Sequence, residues 1–411
     1  MSCRSTLTYL ISRVYFLVIT LIFSVVNYFK TKQVVPPISD DLLMISATEA
    51  VKRIARREIT SQALVRAYIH CIKQVNDVIN AVVVREMDHE WLKEHIKSKP
   101  LLGVPFTVKD SLEVDGQIIT CGIYNERNNR CTRTAEVIKM MEAAGAILIA
   151  ITNVPEACYW LESSNGIYGL TKNPYDSRRI VGGSSGGEGA LISAAGSVIG
   201  IGSDIGGSIR IPSFMNGIFG MMPTPGVVPL DGCVKVPKGF QTQMLRLGPM
   251  CRYAEDVPLL MEVMGGERAV DLHLKDSVDF KKIRVFYMEG IQNTPTIQSL
   301  SCEMRDALLE AVSYFENKFD VQAIRLDLPL AKKAIEMTFT SLQAEAAPKI
   351  SESLLILKGD KGSLNWKTEL PRLLTGQSVH TPGALLMTFI ESMNRVSEEG
   401  KAEVGSFQPA I

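Results

Sequence analysis

Residues 182–224 read GGSSGGEGALISAAGSVIGIGSDIGGSIRIPSFMNGIFGMMPT, and this stretch decides the fold. Its density of Gly and Ser is typical of a flexible linker. Yet Ile, Val, Leu, Phe and Met recur in it at intervals too regular for a disordered tract. The mixture predicts a buried backbone that turns sharply and comes close to another group. Two serines flanked by glycine, Ser184 and Ser208, lie 24 residues apart within it.

Helices and strands are expected to alternate around this stretch. GVPFTV predicts a buried strand that ends at Lys109, and AILIAIT (146–152) predicts another. VIGIGSDI (198–205) predicts a buried strand that tolerates glycine. The alternation indicates an α/β fold with parallel strand pairing. Further strands are expected at 283–288 and 321–326, and helices at 47–56, 61–80, 135–144, 188–195 and 299–317.

The composition excludes several classes of protein. Lys plus Arg and Asp plus Glu number 44 each in 411 residues, and there is no run of like charge, so nucleic acid is a poor candidate partner. The eight cysteines are scattered without a CxxC pair, which indicates free thiols rather than a zinc site or a disulfide framework. His89 and His95 lack the spacing of a metalloprotease helix and are expected on a helix surface.

The N-terminus predicts a membrane anchor. Residues 7–29 read LTYLISRVYFLVITLIFSVVNYF, which is about the length that spans a bilayer. A cleaved signal peptide is the competing interpretation, but the stretch is long for one and no A-x-A-like site follows it. An uncleaved anchor is therefore favoured. Its orientation stays open, because Arg4 and Arg13 on one side face Lys30 and Lys32 on the other.

Ser184 lies in a G-x-S-x-G motif, which is typical of the nucleophile elbow of α/β-hydrolases. That elbow requires a strand that runs into the serine, and the preceding DSRRIVGG is polar. It also requires a downstream histidine, and only His273 and His380 follow. Neither is flanked by residues that indicate a catalytic role. The elbow remains the runner-up mechanism. A phosphate-binding loop is disfavoured, because GxxxxGK[ST] is absent and no GxGxxG joins a strand to a helix.

A hydrolase with few histidines requires another base. A lysine can act as the base when its amine is neutral, and desolvation favours the neutral amine. Lys109 follows the apolar run 104–108, although an ion pair with Asp110 or Glu113 is an equally good interpretation. Ser208 follows two glycines, which leave backbone N–H groups free to face an oxyanion. It could equally cap a helix that starts at Ile209.

The segments GVPFTVKDS, GGSSGGEGALISAAGSVIGIGSDIGGSIRIPSFMNG and GPMCRYAED together resemble the amidase signature family. The resemblance runs from about Ala47 to at least Ile390. It implies a mixed twisted central sheet covered by helices on both faces, plus the N-terminal transmembrane helix. The implied domains are an anchor (1–32), a linker (33–46) and an amidase domain (47–411). Family members continue for about a hundred residues more, so this domain is expected to lack its C-terminal part.

The resemblance also implies a Ser–Ser–Lys triad. Ser208 would be the nucleophile, Ser184 would follow a cis peptide bond and relay the proton, and Lys109 would be the base. The implied oxyanion hole consists of the backbone N–H groups of residues 205–208, namely Ile205, Gly206, Gly207 and Ser208. Cys158 occupies a position that contacts substrate in the family. Asp204 and Arg210 are expected to pair beside the nucleophile.

SNGIYGLTKNPYD, GIFG and PTPGVVP are similar to the single-pass fatty-acid amide hydrolases of the family. The resemblance implies cleavage of lipid amides to free fatty acid and amine, with no metal or organic cofactor. The implied partners are the lipid substrate, an endomembrane (endoplasmic reticulum or lipid droplet) and a second copy in a homodimer, but no nucleic acid. Two alternatives stay open, a hydrolase of small or aryl amides or esters and a catalytically impaired protein that binds acyl groups.

Two apolar clusters in residues 370–393 are expected to form a pair of buried core helices. A second hypothesis makes them a membrane-facing cap through which lipids enter. Under that hypothesis Leu385 and Phe389 belong to the apolar surface of the cap.

Overall fold

Two compact units make up the chain, one of residues 32–274 and 341–397 and the other of residues 1–31, 275–340 and 398–411. The computed structural model describes residues 3–84, 99–234, 241–291, 297–334, 337–338, 340, 349–355 and 362–393. The predicted helix-surface residues His89 and His95 lie outside the described residues.

The first helix, α1, comprises Cys3–Phe29 and contains the apolar stretch predicted from the sequence. Its segment Ile11–Phe29 has a mean hydropathy of 1.7 and is not buried within the protein. At about 1.5 Å of rise per residue, the helix exceeds the roughly 30 Å of a bilayer core. By length and composition, α1 can therefore cross a membrane.

The larger unit is built around the segment that the sequence singled out, residues 182–224. This segment forms helix, strand, helix and edge strand in turn. The elements of residues 47–265 are α2 Ala47–Ala55, α3 Ser61–Ile79, β1 Val82–Val84, β2 Pro105–Lys109, α4 Glu136–Ala143, β3 Ile147–Thr152, β4 Ser164–Asn165, β5 Gly169–Leu170, α5 Gly186–Ser193, β6 Ile199–Asp204, α6 Arg210–Asn216, β7 Phe219–Gly220, α7 Gln241–Met244, β8 Arg246–Cys251 and α8 Asp256–Gly265.

Among the residues that the structure describes, six strands form the central sheet in the order β1-β3-β2-β6-β8-β7. The pairs β2–β3 and β2–β6 are parallel, as the sequence predicts, whereas β1, β7 and β8 pair antiparallel with their neighbours. Every residue of β2, β3, β6 and β8 is buried. Strands β2, β3 and β6 run in the same direction, so their carboxyl ends lie at one edge of the sheet.

Helices cover this sheet in two groups. Helices α3 and α5 pack on each other and on β2 and β3, while α4 packs on β3 and α8 on β8.

Helix α3 shows how the sequence determines the ends and the buried face of a helix. The Oγ1 of Thr60 caps it by accepting the N–H of Ala63 at 3.0 Å, and Asn80 ends it in a left-handed conformation. Its buried residues, such as Leu64, Tyr68 and Ile72, recur at helical spacing.

The smaller unit contains a strand–helix–strand motif besides α1. Its elements are β9 Val285–Tyr287, α9 Cys302–Phe319 and β10 Ala323–Arg325, and β9 and β10 pair in parallel. The sequence predicts all three, with longer strands. The Ser301 side chain caps α9 by accepting the N–H of Met304, and Phe280 stacks on Phe319 with ring centroids 4.7 Å apart.

Within the described residues from 349 to 393, the larger unit forms three helices, α10 Ile350–Ser353, α11 Trp366–Leu374 and α12 Pro382–Met393. The expectation of two buried core helices in residues 370–393 is wrong for α11, whose Leu374 is 79% exposed. Helix α12 is half-buried. It buries Leu385 and partly buries Phe389, so neither residue forms the exposed face; Leu386 does.

Candidate active site

Two serine hydroxyls lie against one buried lysine at the carboxyl ends of β2 and β6. The Nζ of Lys109, the last residue of β2, donates to the Oγ of Ser184 at 2.6 Å and to the Oγ of Ser203 at 2.8 Å. Lys109 is fully buried, and Ser184 and Ser203 are nearly so. Ser184 precedes α5, and Ser203 is on β6. The sequence predicts the first contact but not the second.

The ion pairs that the sequence left open for Lys109 are not formed. The carboxylate of Asp110 accepts the N–H and the Oγ1–H of Thr120 at 2.8 and 2.6 Å, and Glu113 pairs with Arg133. Within the described part of the chain, Lys109 has no salt bridge. Its hydrogen-bond partners in that part of the chain are the hydroxyl groups of Ser184 and Ser203.

Glu188, in the first turn of α5, is a buried carboxyl close to this lysine. Desolvation raises its pKa to about 8, against the opposing effect of hydrogen bonds from Thr107 and Thr152. Its Oε2 accepts the Oγ1–H of Thr107 at 2.7 Å, and its Oε1 lies 2.8 Å from the Oγ1 of Thr152. The Thr152 hydroxyl can donate onward to the carbonyl of Val108 at 3.3 Å. When Glu188 is protonated, its carboxyl can instead donate to the Thr152 Oγ1, which leaves the Thr152 hydroxyl free to donate to the carbonyl of Val108.

Glycines at two positions make room for this arrangement. A Cβ on Gly200 of β6 would lie 1.9 Å from the Oε2 of Glu188. A Cβ on Gly187 of α5 would lie 2.4 Å from the backbone nitrogen of Asn153. The glycine-rich composition that resembles a linker is thus required for the close approach of α5 to the sheet.

The predicted cis peptide bond between Gly183 and Ser184 is present. A loop rather than a strand precedes Ser184 in the described chain, so the α/β-hydrolase elbow is not formed. The N–H of Ser185 donates to the carbonyl of Ser208 at 3.1 Å, which ties the Ser184 segment to the loop of the proposed nucleophile. Helix α6 begins at Arg210 with Ile209 as its N-cap, so Ser208 does not cap it.

The β6–α6 loop is held by Asp204, the last residue of β6. Its carboxylate accepts the N–H of Gly207 at 2.7 Å and that of Ile209 at 3.1 Å. The guanidinium of Arg210 donates to both carboxylate oxygens at 3.0 Å, which is the predicted Asp204–Arg210 pair. Burial raises the pKa of Asp204, but the hydrogen bonds from Arg210 and Gly207 outweigh burial and lower it overall.

Of the four predicted oxyanion-hole amides, the N–H of Gly207 is therefore already donated to Asp204. Among the described residues, no acceptor is found for the N–H groups of Ile205, Gly206 and Ser208. Gly206 is exposed, and a Cβ built on it meets nothing within 4 Å. Three of the four predicted amides thus have no acceptor among the described residues, and the fourth joins the loop to Asp204.

Cys158 is half-buried on a 3-10 turn, Glu156–Cys158, that is anchored to the N-terminus of α12. Buried Glu156 contacts the Nδ1 of His380 at 2.5 Å and accepts the N–H of Thr381 at 2.9 Å. The sequence around His380 indicates no role for it, yet its side chain contacts Glu156, which is 224 residues away in the chain. Only the three-dimensional fold reveals this contact, as it does those of Ser203 and Glu188.

Comparison with known proteins agrees with this architecture. The Amidase family model matches residues 63–396. Fatty-acid amide hydrolase 2-A of Danio rerio is 38% identical over 376 residues, which cover 87% of this chain and 70% of the relative. Fatty-acid amide hydrolase 2 of Homo sapiens is 36% identical over 383 residues, covering 88% and 72%.

A solved fatty acid amide hydrolase superposes with a TM-score of 0.68 at 24% identity, covering 86% of this chain and 64% of that one. A 6-aminohexanoate cyclic dimer hydrolase superposes with a TM-score of 0.66 at 24% identity, covering 84% and 74%. At this identity, the two structures show a shared fold. The chain spans about 70% of the length of these two fatty-acid amide hydrolases 2 and less than two thirds of the solved fatty acid amide hydrolase. With the family model matched over most of its length, the chain belongs to the amidase family.

Proposed function

We propose that this chain is a membrane-anchored serine hydrolase that cleaves fatty-acid amides to free fatty acid and amine. The observation that carries the proposal is the 2.6 Å hydrogen bond between the Nζ of Lys109 and the Oγ of Ser184 in a buried site. Relatives named fatty-acid amide hydrolase 2, at 36–38% identity, support the substrate class.

The proposed reaction begins with attack of the Ser208 Oγ on the amide carbonyl carbon. The Ser208 proton passes to Ser184 while the Ser184 proton passes to Lys109. The N–H groups of Ile205, Gly206 and Ser208 stabilise the negative charge that develops on the carbonyl oxygen. Collapse of the tetrahedral intermediate breaks the carbon–nitrogen bond.

The leaving amine takes its proton from Lys109 by the reverse relay through Ser184. This return matters because an amine leaves only poorly until it is protonated. Water then attacks the acyl-Ser208 ester and passes a proton through Ser184 to Lys109. The bond between the acyl carbon and the Ser208 Oγ breaks, the proton returns to Ser208, and free fatty acid is released. The chemistry requires proton transfer and oxyanion stabilisation alone, so no metal or organic cofactor is assigned to it.

The anchor and the terminal helices support a lipid substrate. Helix α1 would hold the enzyme at a membrane, where long-chain amides concentrate. Helices α11 and α12 expose Leu374 and Leu386, and α12 is fixed through Glu156 to the turn that carries Cys158. We assign these helices as the route of lipid entry and Cys158 as a contact of the acyl group.

A fluorophosphonate probe, which labels activated serines, tests the proposal. We expect labelling of the full chain in membranes and its loss in Ser208→Ala, with Ser193→Ala as the control. Ser193 lies at the end of α5 and donates to the carbonyl of Asn216, away from the reacting groups. Absence of labelling in folded wild-type protein would instead support a catalytically impaired acyl-binding protein.

A further inference from the structure

The residues that directly follow α1 form hydrogen bonds with one surface of the larger unit. The N–H of Gln33 donates to the Oγ of Ser177 at 2.9 Å, and its carbonyl accepts the N–H of Ser177 at 3.0 Å. The N–H of Val35 donates to the carbonyl of Pro174 at 3.1 Å. Gln33 is four residues beyond Phe29, a length of chain that reaches at most about 14 Å. A membrane that contains α1 therefore lies close to residues 174–177.

Four large apolar side chains are exposed beside this attachment point. Tyr175 is 56% exposed, Ile180 41%, Phe214 63% and Met215 38%, and we call these four residues the anchor-side patch. Asn173 joins their backbones. Its Nδ2 donates to the carbonyls of Ile180 and Met215 at 3.2 and 3.1 Å, and its Oδ1 accepts the N–H of Tyr175 at 3.0 Å. Single exposed apolar residues are common, but these four lie on segments that Asn173 joins, next to the predicted anchor.

The charge around the patch suits an anionic lipid surface. Lys30 and Lys32 end the anchor segment, and Arg178 and Arg179 lie between Tyr175 and Ile180 in the sequence. Asp176 is the single carboxylate within these two short segments. It pairs with Arg178 at 2.8 Å, whereas Arg179 remains 77% exposed. Basic residues close to a membrane are attracted to anionic headgroups, and apolar residues among them enter the boundary with the acyl chains.

We infer that the anchor-side patch rests on the bilayer, with Ile180 and Phe214 at the headgroup–acyl boundary and Arg179 on the headgroups. The inference rests on the proposal that α1 spans a membrane. Helix α6 carries Phe214 and begins two residues after Ser208. Contact of the patch with lipid therefore places the loop of the proposed nucleophile beside the bilayer and favours substrates that are dissolved in it.

Lipid photolabelling of the full chain tests the inference. The protein is reconstituted in phosphatidylcholine vesicles with phosphatidylserine and a phospholipid that carries a diazirine on its acyl chain. After irradiation, labelled peptides are identified by mass spectrometry. We expect label in α1 and in the peptides that contain Ile180 and Phe214. Val270, 73% exposed in the same unit, provides the control surface and should stay unlabelled.

Two variants sharpen the test. Phe214→Glu should lower labelling at the Ile180 peptide at least about threefold while labelling of α1 is unchanged, because a charge opposes entry into the acyl boundary. Ile180→Glu should do the same at the Phe214 peptide, and Val270→Glu should change neither. Label in α1 without label in the patch, or a patch covered by a second copy in cross-linking, would overturn the inference. An unlabelled α1 would overturn the anchor as well, whereas fluorophosphonate labelling of Ser208 reports on the catalytic proposal separately.

Discussion

The Nζ of Lys109 donates to the Oγ of Ser203 at 2.8 Å, in addition to its contact with Ser184. Ser203 is on β6, the strand that leads into the loop of Ser208. The Oγ of Ser185 in turn donates to the carbonyl of Ser203 at 3.3 Å. Lys109 and the Ser184–Ser185 segment therefore both contact β6, the strand that precedes the loop of Ser208, and we propose that Ser203 positions the lysine.

Ser203→Ala should lower kcat for amide hydrolysis about fivefold. It removes one buried hydrogen bond to the amine, which contributes about 1 kcal/mol. Ser203→Thr retains the hydroxyl and should keep most of the activity. Steady-state kinetics of the two variants provide the measurement, and equal activity of Ser203→Ala and wild type would contradict the positioning role.

Glu188→Gln should change how stability depends on pH. The pKa of Glu188 is about 8 in the folded protein, against 4.5 for an unperturbed glutamate. Below pH 4.5 the group is protonated in both states. Between pH 4.5 and 8 the unfolded chain releases a proton that the folded chain keeps, so stability falls as pH rises, by about 1.4 kcal/mol per unit.

The glutamine variant lacks this titration. Denaturant unfolding in detergent from pH 5 to 8 should therefore show the free energy of unfolding of wild type falling relative to that of Glu188→Gln. Curves that stay parallel across this range would show that Glu188 is already ionised in the folded state.

Asp204→Asn should lower kcat about tenfold with a smaller effect on KM. The carboxylate holds the N–H of Gly207 and the guanidinium of Arg210, and its loss should loosen the loop whose amides are proposed to stabilise the oxyanion. A tenfold loss corresponds to about 1.4 kcal/mol of transition-state stabilisation. The matched control is Asp231→Asn, which removes a 62% exposed carboxylate that also pairs with an arginine. The same loss in both variants would contradict a specific role of Asp204.

Leu374→Glu should impair hydrolysis of long-chain amides presented in vesicles more than that of short, water-soluble amides. Leu374 is 79% exposed on α11, and burial of a leucine in lipid contributes about 1.5–3 kcal/mol. KM for the long-chain substrate should rise at least about fivefold. Val270→Glu controls for an added surface charge. If both substrates are affected equally, α11 is not a route of lipid entry.

Local patterns predicted the central strands well. Strands β2 and β3 and helix α3 begin and end within one or two residues of expectation, because buried apolar runs and a capping threonine mark them. The antiparallel pairing of β8 with β6 was not predictable. Residue patterns indicate that a strand is buried but not which way its neighbour runs.

The sequence predicted only those site residues that belong to the family's motifs. Lys109 and Ser184 come together as the family resemblance implies. The sequence did not identify Ser203 and Glu188 as site residues. Their contacts depend on which face of the sheet α5 covers. The contact of His380 with Glu156 joins segments that no local pattern relates.

The ratio of amide to ester hydrolysis in Lys109→Ala tests the central claim most directly. The proposed lysine protonates the leaving group, which an amine requires and an alkoxide requires far less. The variant, assayed in membranes on an amide and an ester with the same acyl chain, should lose about 10²–10⁴-fold on the amide and markedly less on the ester. Equal losses on both substrates would contradict the account.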